Sequence, residues 1–416
     1  MSAVTTTTAS RRTPSDPGEQ PAHPAAGHPM WQGLTGGLRQ NGIYVAFVAI
    51  VALAAITTRG LLLSPDNLTN LVLQYSYIFI LAIGMLIVII AGHIDLSVGS
   101  IVALAGAVSA TLVIKEGMPW WVGALAGVAV GFAAGAWHGF WVAVVRIPAW
   151  VTTLAGMLLF RGLTLLVLKN TSLSPFGAPY TGIAAGFQHG LLGGGDYDVF
   201  TLLVFALAVV GFAASQWRIR RGRLGYQQAV EAFPAFVLKI LAVSAVVMWF
   251  AYQLSRSRGL PNILIILAVV VLAYSAIMRG SVFGRGVYAI GGNLHAAQLS
   301  GVKVQKLNFW IMTNMGILSG LAGVVFSSRT NGAQPGAGNA FEMDAIAACF
   351  IGGAAASGGA GTVSGVMVGG LIMAVLSNSM QLLGMDQSMQ QVVKGAILLA
   401  AVAFDIYNRR RASTAG

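Results

Sequence analysis

The sequence predicts an all-α fold, a polytopic helical membrane protein with about ten to twelve transmembrane helices, some of them broken or re-entrant. Three observations predict it. Of the 416 residues, 56% are hydrophobic and only 9% charged, too little polar surface for a soluble multidomain protein. Several runs reach the roughly 20 apolar residues that a bilayer crossing requires. The 53 glycines fall largely inside those runs, as expected where helices pack closely in lipid.

Residues 1–41 open with Thr, Ser, Pro, Ala and Gly plus Arg11 and Arg12, without the apolar stretch of a signal peptide. They read as a disordered cytoplasmic tail. Twelve apolar segments follow within one transmembrane domain, 42–408, at about 42–58, 68–92, 95–114, 119–145, 148–168, 199–217, 233–254, 261–278, 307–327, 341–357, 362–383 and 391–407. Of these, 341–357 and 148–168 are short or glycine-interrupted and best suited to re-entrance. A basic stretch, 409–416, closes the chain. With each segment crossing once, 16 of the 24 Lys and Arg residues fall on the side of the N-terminus. Seven fall opposite, at Arg59, Lys115, Lys169, Arg256, Arg258, Arg329 and Lys394, and Arg161 lies inside a segment. The positive-inside rule then places both termini in the cytoplasm.

Two outside loops, 169–198 and 328–340, are rich in Gly, Pro and Asn and serve as connectors or as docking surfaces. On the inside, RIRRGR in 218–232 reads as a topogenic anchor. The long loop 280–306 carries an N-cap at Asn293, a short helix over Leu294 to Ser300 that includes Ala296 and Ala297, and a stop at Gly301. So short a helix is marginal in water unless it docks, either on the membrane surface or on a soluble partner.

The most unusual stretch is AGHIDLSVGS, Ala91 to Ser100, set between two nearly pure hydrocarbon runs. Asp95 reads as the N-cap of a helix beginning at Leu96, with Gly92 and Gly99 as packing points. Alternatively His93, Asp95, Ser97, Gly99 and Ser100 line or hinge a broken helix beside a transport path. A faint echo of this stretch occurs at Cys349 to Gly370, with Gly352 and Gly353 at the matching break.

Several function classes drop out. The single Cys349 excludes a disulfide framework or a cysteine-rich metal site. The net charge of +12 is scattered between apolar segments, so it carries topology and not nucleic-acid binding. No phosphate-cradling GxxxxGK[ST] is present, and Gly284, Gly286 and Ala289 lack the preceding strand of a dinucleotide site. The histidines lack metal-ligand spacing, and Glu342 and Asp344, two apart, face different sides of a helix. No catalytic constellation, cofactor or metal is expected.

LAIGMLIVIIAGHIDLSVGS, LAGMLLFRG at 154–162, GRGVYAIGGNLHAAQLSGV at 284–302, and MDAIAACFIGG with VVKGAILL occur in that order. They resemble the sugar permeases of bacterial ABC importers, the group that includes ribose, arabinose and xylose transporters, over about residues 42–408. The extra segments at 199–260, with their charged loop, resemble the longer xylose-type members. The resemblance implies a multi-pass subunit of the bacterial cytoplasmic membrane that carries a pentose and has no ATPase site of its own. It implies a second permease copy, cytoplasmic ABC ATPase subunits, an extracytoplasmic sugar-binding protein and surrounding lipid as partners. It also implies that Asn293, Leu294, Ala296, Ala297, Ser300 and Gly301 form the element that docks on the ATPase. The chain departs from its relatives at His93, where they carry an acidic residue, and at Ala354 to Ala356, where they carry Thr-Ser and an aliphatic residue. A secondary ion-coupled sugar carrier and a branched-chain amino acid permease of the same broad group are the rival readings.

Overall fold

The computed structural model describes residues 29–414, with side chains for 42–400, 402 and 403. The expectations for the tail 1–28 and for the side chains of 409–416 lie outside the described residues. The chain divides into two units, Met1–Gly42 and Ile43–Gly416. The first is described as helical backbone from Pro29 onward, ahead of the start expected for the first apolar segment.

Each apolar segment expected from the sequence coincides with a helix. They are α1 (Pro29–Thr57), α2 (Pro65–Ile90), α3 (Val98–Ala110), α4 (Trp120–Gly139), α5 (Ala149–Leu168), α7 (Val199–Gly225), α8 (Phe233–Arg256), α9 (Asn262–Gly280), α12 (Val304–Thr330), α13 (Phe341–Ile351), α14 (Val363–Leu382) and α15 (Gln387–Thr414). Between them lie α6 (Ala178–Ala185), α10 (Val282–Gly292) and α11 (Leu294–Leu299). Among the described residues nine helices are long and apolar enough to cross a membrane, and Gly42–Thr57 is a shorter apolar one. The two segments best suited to re-entrance part company. The first, 148–168, is an unbroken helix, whereas in 341–357 the helix stops after eleven residues.

Helix α2 is the hub. From Ile78 to Ile90 it is apolar on every side, and it is buried along most of its length, as a helix surrounded by protein must be. Helices α8, α9, α12, α13 and α14 pack around it. Helices α7 and α8 pair with each other at the periphery, and almost none of their apolar length is buried. Their entry is fixed by Asp198, which caps α7 by accepting from the Thr201 backbone at 2.9 Å and from Gly190 N–H at 2.9 Å. Burial pushes its carboxyl up, but the Thr201 hydroxyl, these N–H donors and the neighbouring His189 outweigh it and hold the group below the ordinary carboxylate range.

The most extensive helix–helix contact is between α4 and α12. In α4 a glycine recurs every fourth residue at 123, 127, 131, 135 and 139, one continuous stripe on a helix. A Cβ on Gly131 would run into the Gly316 carbonyl oxygen, and a Cβ on Gly316 into that of Gly131. The two backbones therefore touch, which supplies the packing that lipid cannot drive by hydrophobicity.

After Asn331, in a left-handed turn (φ 54°), the chain doubles back. Arg161, in the interior of α5, donates to the carbonyls of Pro335 at 3.2 Å and Ala337 at 2.5 Å. Further on, the backbones of Gly338 and Gly99 meet so closely that a Cβ on either would clash. The segment expected as an outside connector, 328–340, thus runs back along α5 to the start of α3 before α13 begins. The other expected outside loop, 169–198, is partly tied down as well. Its helix α6 is clamped to α12 through Tyr180 Oη against Ser327 Oγ at 2.9 Å and Ser328 Oγ donating to the Tyr180 carbonyl at 2.9 Å.

Gly131→Ala is expected to destabilise the protein by about 1–3 kcal/mol, as overpacking against backbone does. Gly211→Ala in α7, where a Cβ meets nothing within 4 Å, is expected to be neutral or stabilising by about 0.5–1 kcal/mol. Thermal unfolding of the detergent-solubilised variants checks both.

Candidate functional site

Both irregular breaks are built the same way. At the end of α2 the chain leaves through Gly92 in the left-handed region (φ 83°), with Gly92 N–H donating to Ile89 O and His93 N–H to Val88 O. At the end of α13, Gly353 takes φ 83°, with Gly353 N–H donating to Phe350 O and Ala354 N–H to Cys349 O. Each is a Schellman cap, in which a left-handed glycine satisfies the last carbonyls of a helix. The echo between the two stretches is thus one of local geometry.

The breaks also touch. Gly359 N–H donates to the Ile90 carbonyl at 2.8 Å. Gly291, near the end of α10, closes the third side, since a Cβ there would collide with Ile90 O and lie 2.6 Å from Gly359 N. Tyr288 of α10 adds a hydrogen bond to Gly361 O at 2.7 Å. Helix α10 therefore rests its backbone on both breaks. Asn293 directly follows Gly292, the last residue of α10, and caps α11, its side chain accepting from Ala296 N–H at 2.9 Å.

The sequence-predicted residues fall into separate groups. Asn293, Leu294, Ala296, Ala297, Ser300 and Gly301 do form one capped turn of helix, with Ser300 Oγ on Ala296 O at 2.8 Å and Gly301 at φ 80°. Within it Ala297 is buried, and the most exposed apolar side chain is Leu299, at 91%. Asp95 is fully buried, but the helix after it starts at Val98, two residues later than the cap reading required. Asp95 Oδ1 instead accepts from Ser97 N–H at 2.8 Å and from Ser97 Oγ at 2.6 Å, an Asx turn that leads into the helix. Ser100 Oγ is spent on Ser97 O at 2.7 Å. Gly99 faces Gly338 and Glu342, while Asp344 faces Lys394, so the two carboxylates do point apart.

His93 lies differently. It lines a cavity of ≈ 630 Å³ together with Arg146, Trp150, Asn308 and Gln298 of α11. In its wall the His93 and Asn308 side chains lie beside each other, polar company that suits water or a polar ligand. Asp95 Oδ2, Trp141 Nε1 and both ring nitrogens of His138, which do not line this cavity, are buried with no hydrogen-bond partner among the described residues. Among the described residues no three His, Cys, Asp or Glu side chains are placed to hold a metal ion.

The sequence reading missed Gly291, Gly359 and Arg161 as contact residues. The glycine-rich runs were visible, but which of them meet is a tertiary fact.

Comparison with known proteins adds the following. The family model described as branched-chain amino acid transport system / permease component matches residues 67–402. The xylose transport system permease protein of Haemophilus influenzae is 39% identical over 367 residues, covering 88% of this chain and 96% of that one. Its counterpart in Escherichia coli K12 is 38% identical over 383 residues, 90% and 95% of the two chains. The ribose import permease protein of Escherichia coli K12 is 33% identical over 365 residues, 86% and 92%. No solved structure matches.

Gly291→Ala is expected to push α10 off the junction and expose the Gly359 amide, whereas Gly292→Ala, with nothing within 4 Å of its Cβ, leaves it protected. Hydrogen exchange at Gly359 distinguishes the two.

Proposed function

The chain belongs to the family of branched-chain amino acid transport system / permease components, and on that premise we propose that it is the membrane subunit of an ATP-driven importer for a monosaccharide, a pentose of the xylose type. One observation carries this reading: the likeness to xylose permeases runs over about nine-tenths of both chains and exceeds that to the ribose permease, 38% against 33%. The subunit is a multi-pass protein of the bacterial inner membrane and performs no covalent chemistry. In the proposed assembly two copies form the pathway, ABC ATPase subunits bind on the cytoplasmic side, and a soluble sugar-binding protein delivers the substrate outside. Both termini are cytoplasmic, in keeping with the distribution of basic residues.

The route from ATP to the pathway is mechanical. Helix α11 presents Leu299 to the ATPase, and Gly291, just upstream, is in backbone contact with the ends of both breaks. Backbone-to-backbone packing has no soft side chain to absorb a displacement, so movement of α11 reaches Ile90 and Gly359 directly. The left-handed glycines at 92 and 353 then act as hinges, since no Cβ resists their rotation. In this scheme Asp95, Ser97 and Ser100 hold the first turn of α3 together, and the cavity beside His93 and Asn308 is the inner vestibule. That Gln298 of α11 lines the same cavity links the docking element to the exit.

The family description leaves a branched-chain amino acid as the second substrate class. In proteoliposomes holding the permease with its ATPase and binding protein, uptake of labelled D-xylose is expected to require ATP and to be indifferent to excess leucine. Uptake by the permease alone, driven by a proton gradient, would sink the ATP-driven reading. Leu299→Glu is expected to weaken ATPase co-purification by about 2 kcal/mol, roughly 30-fold, with membrane insertion unchanged.

A further inference from the structure

A second cavity, of ≈ 550 Å³, lies between α2, α13, α14 and α15, away from the break that dominates the sequence. It falls within the usual size range of small-ligand sites. Five glutamines line it, at 74, 381, 387, 390 and 391. Gln74 Nε2 donates to Gln381 Oε1 at 3.0 Å and Gln390 Nε2 to Met385 O at 2.8 Å. Gln387 and Gln391, by contrast, are exposed where they line the space. In the wall Lys394 Nζ sits 3.0 Å from Asp344 Oδ1 and 3.1 Å from Oδ2, tying α15 to α13. Opposite, Tyr77 stacks on Phe341 with ring centroids 4.2 Å apart.

One group in this wall is unexplained. Tyr75 is only 4% exposed and lines the cavity, and its hydroxyl, beside the Ser377 and Gln381 side chains, makes no hydrogen bond of good geometry among the described residues. A buried unsatisfied hydroxyl is costly and calls for a ligand or water to complete it.

We propose that this cavity is a binding station for a neutral polyol, the imported monosaccharide, with Tyr75, Gln391 and the Asp344–Lys394 pair contacting its hydroxyl groups. The proposal rests on the sugar-import reading and gives that reading a place on the path. The chemistry selects the class. Side-chain amides and a carboxylate–ammonium pair offer donors and acceptors side by side, as adjacent hydroxyls require. The aromatic wall suits the C–H face of a sugar ring. The pair is internally neutralised, so the wall has no spare charge for the carboxylate or ammonium of an amino acid. Two of the polar groups singled out from the sequence, Ser97 and Ser100, do not compete for this role, because they spend their hydroxyls within their own turn.

The complete transporter in proteoliposomes provides the test. Cys349 is fully buried, so Gln391→Cys introduces an accessible thiol against a low background. D-xylose delivered during ATP turnover is expected to slow its modification by a methanethiosulfonate reagent several-fold, and leucine is not. Tyr75→Phe is expected to lower xylose uptake per ATP hydrolysed about tenfold, the scale of one lost hydrogen bond in a dry site, with stimulation of the ATPase by the binding protein retained. Labelling unaffected by xylose, or full uptake by Tyr75→Phe, overturns the station while leaving the importer standing. Wild-type vesicles that move no monosaccharide overturn the sugar reading and the ligand class with it.

Discussion

The structure depends on backbone contact between α4 and α12. In lipid the hydrophobic effect does not drive helices together, so association rests on how closely they approach. The glycine stripe of α4 admits the α12 backbone at Gly316 and Gly320 without an intervening side chain. That contact turns α12 into a strut with a working part at each end. Upstream stand α10 and α11, and downstream the segment that doubles back to Gly99 and delivers α13. Overpacking the stripe would therefore bear on α11 and on the return segment together.

In the proposed scheme the two capped breaks are the places that yield against this strut. Both end a helix on a left-handed glycine, and the hydrogen bond from Gly359 to Ile90 O locks them to each other. Because the lock is a single backbone bond reinforced by Gly291, a shift of α10 by a fraction of an ångström must either carry both helix ends along or break the bond. Packed interfaces respond to small shifts by switching between arrangements and not by deforming smoothly. In the proposed scheme a pair of hinges joined this way gives one input and two coordinated outputs, which is what alternate opening to the two sides of a membrane demands.

How much of this was legible follows from the range of each interaction. The long apolar helices and the capped turn at Asn293 were readable, because apolar length and an Asn three residues ahead of the N–H that donates to it are local facts. The start of α3 was misplaced by two residues, since Asp95 bonds Ser97 and delays the helix, where a cap would have begun it. Helix α10 went unread because four glycines in eleven residues argue against a helix, and packing on the breaks overrides that preference. The meeting of Gly291, Ile90 and Gly359, and the cavity that draws on four helices, leave no local trace. Arg161 was visible as a charge in an apolar run, but its acceptors lie 174 and 176 residues away.

The disposition of interior charge bears on the source of energy. A carrier driven by an ion gradient needs a titratable group that can gain and lose its ion as the pathway alternates. Here Asp344 is held by Lys394, and Arg161 is held by carbonyl oxygens. Asp95 keeps one oxygen unpartnered, yet its other oxygen organises the first turn of α3. A proton taken up on that free oxygen would leave the other accepting from Ser97, so the turn survives a change of charge at Asp95. The Asp344–Lys394 pair and the Arg161 bonds instead tie α15 to α13 and α5 to the segment that follows α12. In the proposed assembly these charges hold helices in register, and the work of opening the pathway falls to the ATPase outside the membrane.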